Sequence, residues 1–247
     1  MGLRQANVSL LPFAEAVVSP WVWENDLIGR QLLKGEIWDR PILEHMMTYI
    51  KPGSLFIDVG AHVGFYSLAS LHLGAISAVA YEPYLYDLLR INCAGLPISA
   101  VGVALGDRGC RAMWKPTPHA QFSGNYPTPQ GVVGLGGLGG LSLKQLDPPE
   151  SYYEDSVSVV TLDSEYTMIR QSGIPISMIK IDAQGWDLKV LRGAIRMIAH
   201  HLPVILFEYE SDLSEEPLAE YLQFFNERKY QVSRIAGLPN DWVAVPQ

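Results

Sequence analysis

Cysteine is scarce: the 247-residue chain has two, Cys93 and Cys110. Their spacing matches no zinc site, and two thiols cannot build the disulfide framework of a small secreted domain. Both are expected to be reduced thiols of a cytoplasmic protein. The start shows no basic region followed by an apolar run and a small-residue cleavage site. Met1-Gly2 is followed by Ala6 where a myristoylation signal requires Ser or Thr. No apolar run approaches the roughly 18 residues of a membrane span. Positive charge is also sparse. Eighteen Lys and Arg stand against 26 Asp and Glu, a net charge of −8, with no basic run. Such a chain has no general attraction for phosphate backbones or anionic lipid, so neither nucleic acid nor a membrane surface is expected as partner. His-Glu-x-x-His and Gly-x-Ser-x-Gly are both missing, which removes the usual zinc-hydrolase and serine-hydrolase signatures.

What is present is a large apolar fraction. With 48% hydrophobic and 18% charged residues, the chain can bury a sizeable core and has few charges for long solvated tails. Residues 1–50 read as an N-terminal helical cap. Ile37, Ile42, Leu43, Met46, Met47 and Ile50 recur at helical spacing, with Asp39 as candidate N-cap and Pro41 in the first turn. Residues 51–247 then form one α/β domain. Ser54 to Val59 is a continuous apolar run that ends in an acid and a glycine, as expected of a strand buried on both faces. A helix from Gly64 to Leu73, a strand from Ser77 to Glu82, a helix from Tyr84 to Asn92 and a strand from Val101 to Leu105 follow. Alternation of this kind predicts a doubly wound parallel sheet. Residues 115–150, rich in glycine and proline, oppose helix and read as a flexible flap. The strands Ile176–Asp182 and Val204–Glu208 flank a helix predicted over Asp187–His200. A helix over Pro217–Arg228 precedes a terminal hairpin, which adds an antiparallel last strand.

The chemistry gathers at strand ends. Asp58-Val59-Gly60-Ala61-His62-Val63-Gly64 joins a buried strand to a helix. The glycines allow a tight turn and close approach of a ligand. A dinucleotide site would need Gly-x-Gly-x-x-Gly to cradle a pyrophosphate, but here His62 occupies the middle glycine position. Asp58 would repel phosphate and could hold an ammonium. Glu82 lies at the offset of an acid that binds ribose hydroxyls. Asp107 could accept from an adenine amino group or simply form a turn. Lys180 and Asp182 share one face of a strand by its alternating period. Asp182 could serve as a general base or ligate a hard metal, with Lys180 as its ion-pair partner or as a charge acting on a substrate hydroxyl. Glu208 reaches the same rim. His62 is the one histidine inside a motif, and His119 could reach the site from the flap.

The blocks Phe56–Ser67, Tyr81-Glu82-Pro83, Ala104-Leu105-Gly106-Asp107, Thr161-Leu162-Asp163, Ile179–Gly185 and Val190–Ala194 together resemble the FkbM family of methyltransferases in order and spacing. The resemblance implies a Rossmann-like class I methyltransferase fold, with a seven-stranded, mostly parallel sheet and helices on both faces. It implies methyl transfer from S-adenosylmethionine to an oxygen, often a hydroxyl of a sugar or polyketide. By the matching positions Asp58, Gly60, Ala61, His62, Gly64 and Ser67 line the methionine end. Glu82 and Pro83 hold the ribose, Asp107 the adenine side, and Asp182 sits where the methyl is transferred. Two departures stand out: His62 replaces the family's usual Asn, and Gln184 replaces a frequent acid.

The expected reaction is therefore O-methylation of a small-molecule or glycan hydroxyl. Asp182, Lys180 and His62 are the candidate catalytic groups. Gln184, Trp186, Glu208 and His119 are the candidate substrate contacts. No metal ligand set is indicated. Two rivals remain at this stage, an NAD-dependent oxidoreductase and a methyltransferase-like binding module without catalysis.

Overall fold

The computed structural model describes residues 2–116, 126–128, 131–133, 141–145 and 156–247. Its frame is a seven-stranded sheet. The strands are β1 (Leu55–Val59), β2 (Ser77–Tyr81), β3 (Ile98–Val101), β4 (Ile176–Ile181), β5 (Val204–Glu208), β6 (Tyr230–Arg234) and β7 (Asp241–Pro246). Their spatial order is β6-β7-β5-β4-β1-β2-β3. All neighbours pair in parallel except β7, which runs antiparallel between β5 and β6. The strand order reverses between β1 and β4, where a crevice opens at the carboxyl ends and ligands collect in such sheets.

Alternation within the strands feeds two cores. Leu55, Ile57 and Val59 of β1 face one way, with Ile179, Ile181, Ile205 and Phe207. Helices α5 (Leu162–Gln171), α6 (Asp187–Arg192), α7 (Ile195–His201) and α8 (Leu218–Asn226) supply apolar residues to that core. Phe56, Ala78, Ala80, Met178 and Leu206 face the other way, toward α3 (Phe65–His72) and α4 (Tyr86–Asn92). On that second face, successive positions put Asp58 opposite Ala80 and beside Lys180. Two carboxyl-end polar residues thus share the face that the N-terminal segment covers.

That segment differs from the expected helical cap. Leu3–Gln5 pairs with Trp21–Trp23 and Val8–Ser9 with Val17–Val18, and helix begins only with α1 (Leu27–Leu33) and α2 (Arg40–Tyr49). Its Ala6, Val8, Leu10, Val22, Leu32, Leu43 and Met46 are buried in the same core as Phe56 and Met178. Short β-pairs escape a periodicity search because two or three residues give too little pattern.

Three further boundaries moved. The strand expected over Val101–Leu105 breaks at Gly102, where a Cβ would lie 2.7 Å from the Tyr86 ring. Ala104–Leu105 then joins a separate four-stranded sheet, ordered 141–145, 110–116, 157–160, 104–105. The stems of the expected flap are therefore strands, as are 126–128 and 131–133, which pair with each other. The remainder of the flap lies outside the described residues. The single helix expected over Asp187–His200 splits into α6 and α7 at Gly193. A Cβ there would meet the Gly106 carbonyl oxygen at 2.0 Å, so backbone packs against backbone and helix geometry yields. Helix α5 was not anticipated. Thr161 caps it, its Oγ1 accepting from Ser164 N at 3.0 Å, with Asp163 and Glu165 in the first turn. These are ordinary helix-start signals.

Candidate active site

The loop after β1 is clamped between the tips of its two neighbours. Gly60 N and Ala61 N donate to the Tyr81 carbonyl at 2.9 and 3.0 Å, and Asp182 N donates to the Val59 carbonyl at 3.0 Å. Gly60 has φ 73°, and a Cβ on it would lie 2.0 Å from the Asp182 carbonyl oxygen. Only glycine brings the β1 loop and the β4 tip this close. Gly64 caps α3 with φ 85° and packs against Leu89.

Asp58 is fully buried. Ser67, in the first turn of α3, donates its hydroxyl to Asp58 Oδ2 at 2.6 Å, while Oδ1 has no hydrogen-bond partner among the described residues. Burial pushes the Asp58 carboxyl above its ordinary pKa, against the pull of Lys180 and Ser67. Glu82 is also buried and shapes the turn through Pro83 into α4. Its Oε1 accepts from Tyr84 N and Leu85 N at 2.8 and 3.1 Å, and its Oε2 from His62 N at 3.0 Å. Oε2 carries a single one of these bonds and keeps acceptor capacity for a ribose hydroxyl. Burial raises its pKa, while His62 and the three amides oppose the rise.

His62 has φ 54°. Its Nε2 lies 3.6 Å from Oδ2 of Asp26, a buried residue of the N-terminal segment. Neither ring nitrogen makes a hydrogen bond among the described residues. Asp26 itself caps α1, accepting from Gly29 N at 2.8 Å. The ring of His62 thus ties the motif loop to the N-terminal segment and makes no hydrogen bond to Asp182.

The tip of β4 carries the second half of the site. Lys180 is buried, and its Nζ donates to Asp182 Oδ2 at 3.2 Å and lies 5.2 Å from the centre of the Tyr66 ring. Against the opposing effect of burial, Asp182 and Asp58 raise its pKa, so the ammonium stays charged. Asp182 is 39% exposed at its side chain. Gln184 Nε2 donates to Asp182 Oδ1 at 2.9 Å and approaches Glu208 Oε2 at 3.3 Å. Burial pushes Asp182 up, but Lys180 and the hydrogen bonds from Gln184 and Glu208 outweigh it and hold the carboxyl below its ordinary pKa. Glu208 is pushed well up, first by burial and then by Asp182 and other nearby acids. The two carboxyls are thus pushed in opposite directions, Asp182 toward the ionised form and Glu208 toward the protonated one. Asp187, fully buried behind them, accepts from Ala183 N and Glu208 N at 3.2 and 3.1 Å and is pushed up to about 7 by burial, then by Asp182.

Neither Trp186 nor Asp107 makes a hydrogen bond to these groups among the described residues. Trp186 is buried against Ala104, Ala112 and Val159 with Lys189 Nζ 4.3 Å from its ring centre, so among the described residues its indole is core. Asp107 is exposed in the turn before 110–116, where its charge bears on Cys110 together with Arg108 and Lys189. His119 lies outside the described residues. Local pattern does not reveal Tyr66, Asp26 or Asp241 as residues of the site, and Asp39 stands at the expected N-cap position of α2 without a side-chain cap bond. Asp241 stands opposite Glu208 in the β5–β7 register, which no local pattern reveals. Among the described residues no group of three or more His, Cys, Asp or Glu is arranged to hold a metal, and no helix is long and apolar enough to cross a membrane.

Residues 58–232, which span this loop, the β4 tip and β5, match the Methyltransferase FkbM domain. The chain belongs to the FkbM methyltransferase family. Family membership sets aside the oxidoreductase alternative. Similar solved structures include a methyltransferase FkbM from Methylobacillus flagellatus KT, 18% identical over 88% of this chain and 52% of that one, with TM-score 0.46. The chain thus spans about half the length of that protein. A TehB-like SAM-dependent methyltransferase from Corynebacterium glutamicum is 9% identical over 88% of this chain and 93% of that one, with TM-score 0.42. A rRNA methylase from Streptococcus thermophilus is 12% identical over 85% and 99%, with TM-score 0.41. No curated protein matches the chain. FkbM membership implies use of S-adenosylmethionine, and the residues fit that group. An unpartnered buried carboxylate oxygen on Asp58 suits an ammonium, Glu82 suits a ribose, and two acids beside the glycine loop would repel a pyrophosphate.

Proposed function

We propose that this FkbM methyltransferase transfers the methyl group of S-adenosylmethionine to a hydroxyl of a sugar-like small molecule or glycan. The observation that carries the reading is Asp182. It is a half-exposed carboxylate, ionised by Lys180, at the strand tip whose backbone touches the glycine loop. Bound S-adenosylmethionine supplies an electrophilic methyl group on a sulfonium. Asp58, Ser67 and Glu82 hold the donor's polar ends, and the close packing of Gly60 on Asp182 sets donor and acceptor side by side, a proximity effect.

An Asp182 held below its ordinary pKa is a weak base for a free alcohol. That suffices, because the hydroxyl becomes strongly acidic as its oxygen gains a carbon, so the proton moves late and Asp182 only has to accept it. Before that step Asp182 orients the hydroxyl as a charged hydrogen-bond acceptor. Lys180, buried beneath Tyr66 and paired to Asp182, keeps that carboxylate ionised. His62 anchors the loop to Asp26 in this reading.

Asp182→Asn tests it. The amide keeps the shape and cannot take a proton, so turnover should fall by about 10²–10⁴-fold, with affinity for S-adenosylhomocysteine changed less than threefold. Equal losses in both would assign Asp182 a structural role. Tight cofactor binding with no methyl transfer to any glycoside or alcohol would favour a binding module without catalysis.

A further inference from the structure

Two carboxyls near Asp182 have no role in what precedes. Asp39 lies at the N-cap position of α2, where an Asp side chain ordinarily accepts from a helix amide, worth about 1 kcal/mol. It makes no such bond, and its backbone is left-handed at φ 41°. Tertiary contacts set this corner. Tyr66, whose ring covers Lys180, donates its hydroxyl to the Trp38 carbonyl at 3.2 Å and so pins Trp38-Asp39 over the tip of β4. Asp241 arrives from the other end of the chain as the first residue of β7. It stands directly across from Glu208, so the two side chains share a face. The same register argument, carried through Leu206 opposite both Lys180 and Val243, puts Lys180 on that face as well.

Asp39 and Asp241 are thus half-buried carboxyls, each within the electrostatic reach of Lys180, Asp182 and the other, and neither makes a hydrogen bond among the described residues. Partly buried and without a protein partner among the described residues, both carboxyls are open to a ligand. Asp58, whose unpartnered Oδ1 is given to the donor's ammonium in this reading, lies on the same face beside Lys180 and so puts these carboxyls next to the donor site. Lys180 occupies the middle of the group, which disfavours a metal ion there. Burial first, and then Asp182, push Asp39 up to about 6 and Asp241 up to about 7. A carboxyl accepts from a hydroxyl when ionised and donates to it when protonated, so a hydroxyl is a partner for either state.

We infer that Asp39 and Asp241 are the specificity-determining residues on the acceptor side of the Asp182 site, and that they bind the hydroxyls flanking the one that is methylated. The acceptor class is therefore a polyol, such as a pyranoside with adjacent free hydroxyls, in preference to a lone alcohol or phenol. This inference rests on the methyl-transfer reading for its location only.

The test uses the full chain saturated with S-adenosylhomocysteine. Binding of a panel of methyl hexopyranosides and their monodeoxy analogues is followed by saturation-transfer NMR. Asp39→Ala and Asp241→Ala should each weaken the best-bound glycoside at least tenfold while S-adenosylhomocysteine affinity stays within threefold. Asn at either position, which keeps both a donor and an acceptor, should restore much of the loss. The effect of each substitution should shrink for the analogue that lacks the neighbouring hydroxyl. If an Ala variant loses cofactor binding, its Asn partner decides, because a glycoside bound by Asn as by wild type then supports the inference and one bound tenfold more weakly overturns it. Glycosides that do not bind wild type, or that bind all variants alike, overturn it. So does magnesium binding that both substitutions abolish. Glycosides that bind and respond but are never methylated leave the inference standing and remove the methyl-transfer reading. Glycosides methylated equally well by every variant do the reverse.

Discussion

Gly60→Ala separates backbone freedom from close approach, because the structure supplies its own control. Both Gly60 and Gly53 adopt positive φ, 73° and 78°. An L-residue in that region costs about 1–2 kcal/mol. At Gly53 a Cβ would meet nothing within 4 Å, whereas at Gly60 it would meet the Asp182 carbonyl oxygen at 2.0 Å, where real Cβ contacts stay above 3.0 Å. The deficit of 1.0 Å (3.0 − 2.0) must be absorbed by separating the β1 loop from the β4 tip. Forced overpacking of this kind costs about 1–3 kcal/mol more. Gly53→Ala should then lower the melting temperature by about 2–8 °C and Gly60→Ala by about 4–20 °C, at about 2–4 °C per kcal/mol for a chain of this size. Calorimetric titration supplies the second readout. Displacing the loop that follows Asp58 and carries His62 should weaken S-adenosylhomocysteine at least tenfold in Gly60→Ala and leave it unchanged in Gly53→Ala. If the two variants melt together and both bind the ligand as wild type does, the packing of Gly60 on Asp182 has no part in building the site.

Lys180→Met should be among the most damaging single changes, since it leaves Asp58 and Asp182 without their shared cation. Stranding a buried charge costs about 3–5 kcal/mol, less for the partly exposed Asp182 than for fully buried Asp58, and a chemical-denaturation midpoint unchanged from wild type would contradict it. Asp26→Ala removes the α1 cap and the partner of His62. A loss of about 1 kcal/mol is expected, with amide exchange quickening across 27–33 and around His62; faster exchange in the helix alone would show that the His62 contact is idle. Asp241 bears on stability against pH. Its folded pKa is raised from 3.8 to about 7 by burial and by Asp182, so the folded state binds its proton more tightly than the unfolded chain. The resulting stability is fully present below about pH 4 and is lost as pH rises through about 7. Asp241→Asn should therefore flatten the decline in melting temperature between pH 4 and 7.5, and an unchanged slope would show that Asp241 is not sheltered.

The architecture was largely legible because parallel strands buried on both faces write themselves as apolar runs. Leu55–Val59 and Ile176–Ile181 are buried throughout, and both were visible without coordinates. So was the order of motifs that carries the family. Boundaries failed where the decisive interaction was distant in sequence. Gly193 ends α6 because the Gly106 backbone lies against it, and Gly102 stops a strand because the Tyr86 ring is there. The same holds for Trp186, whose type suggests a sugar platform and whose position makes it core.

The order of residues along the chain thus determined which groups stand at strand ends: Asp58, Glu82, Lys180 with Asp182, and Glu208. Period and turn chemistry are local properties, and local properties survive in one dimension. The folded structure alone decided who faces whom. Register set Asp241 against Glu208, Tyr66 bonded the Trp38 carbonyl next to an Asp39 that caps α2 without a side-chain bond, and His62 turned toward Asp26. Proton affinity followed from those neighbours: burial and nearby acids push Glu208 up, while Lys180 and hydrogen bonds from Gln184 and Glu208 hold Asp182 down. Such long-range pairings depend on how helices and strands stack, which no stretch of sequence states by itself.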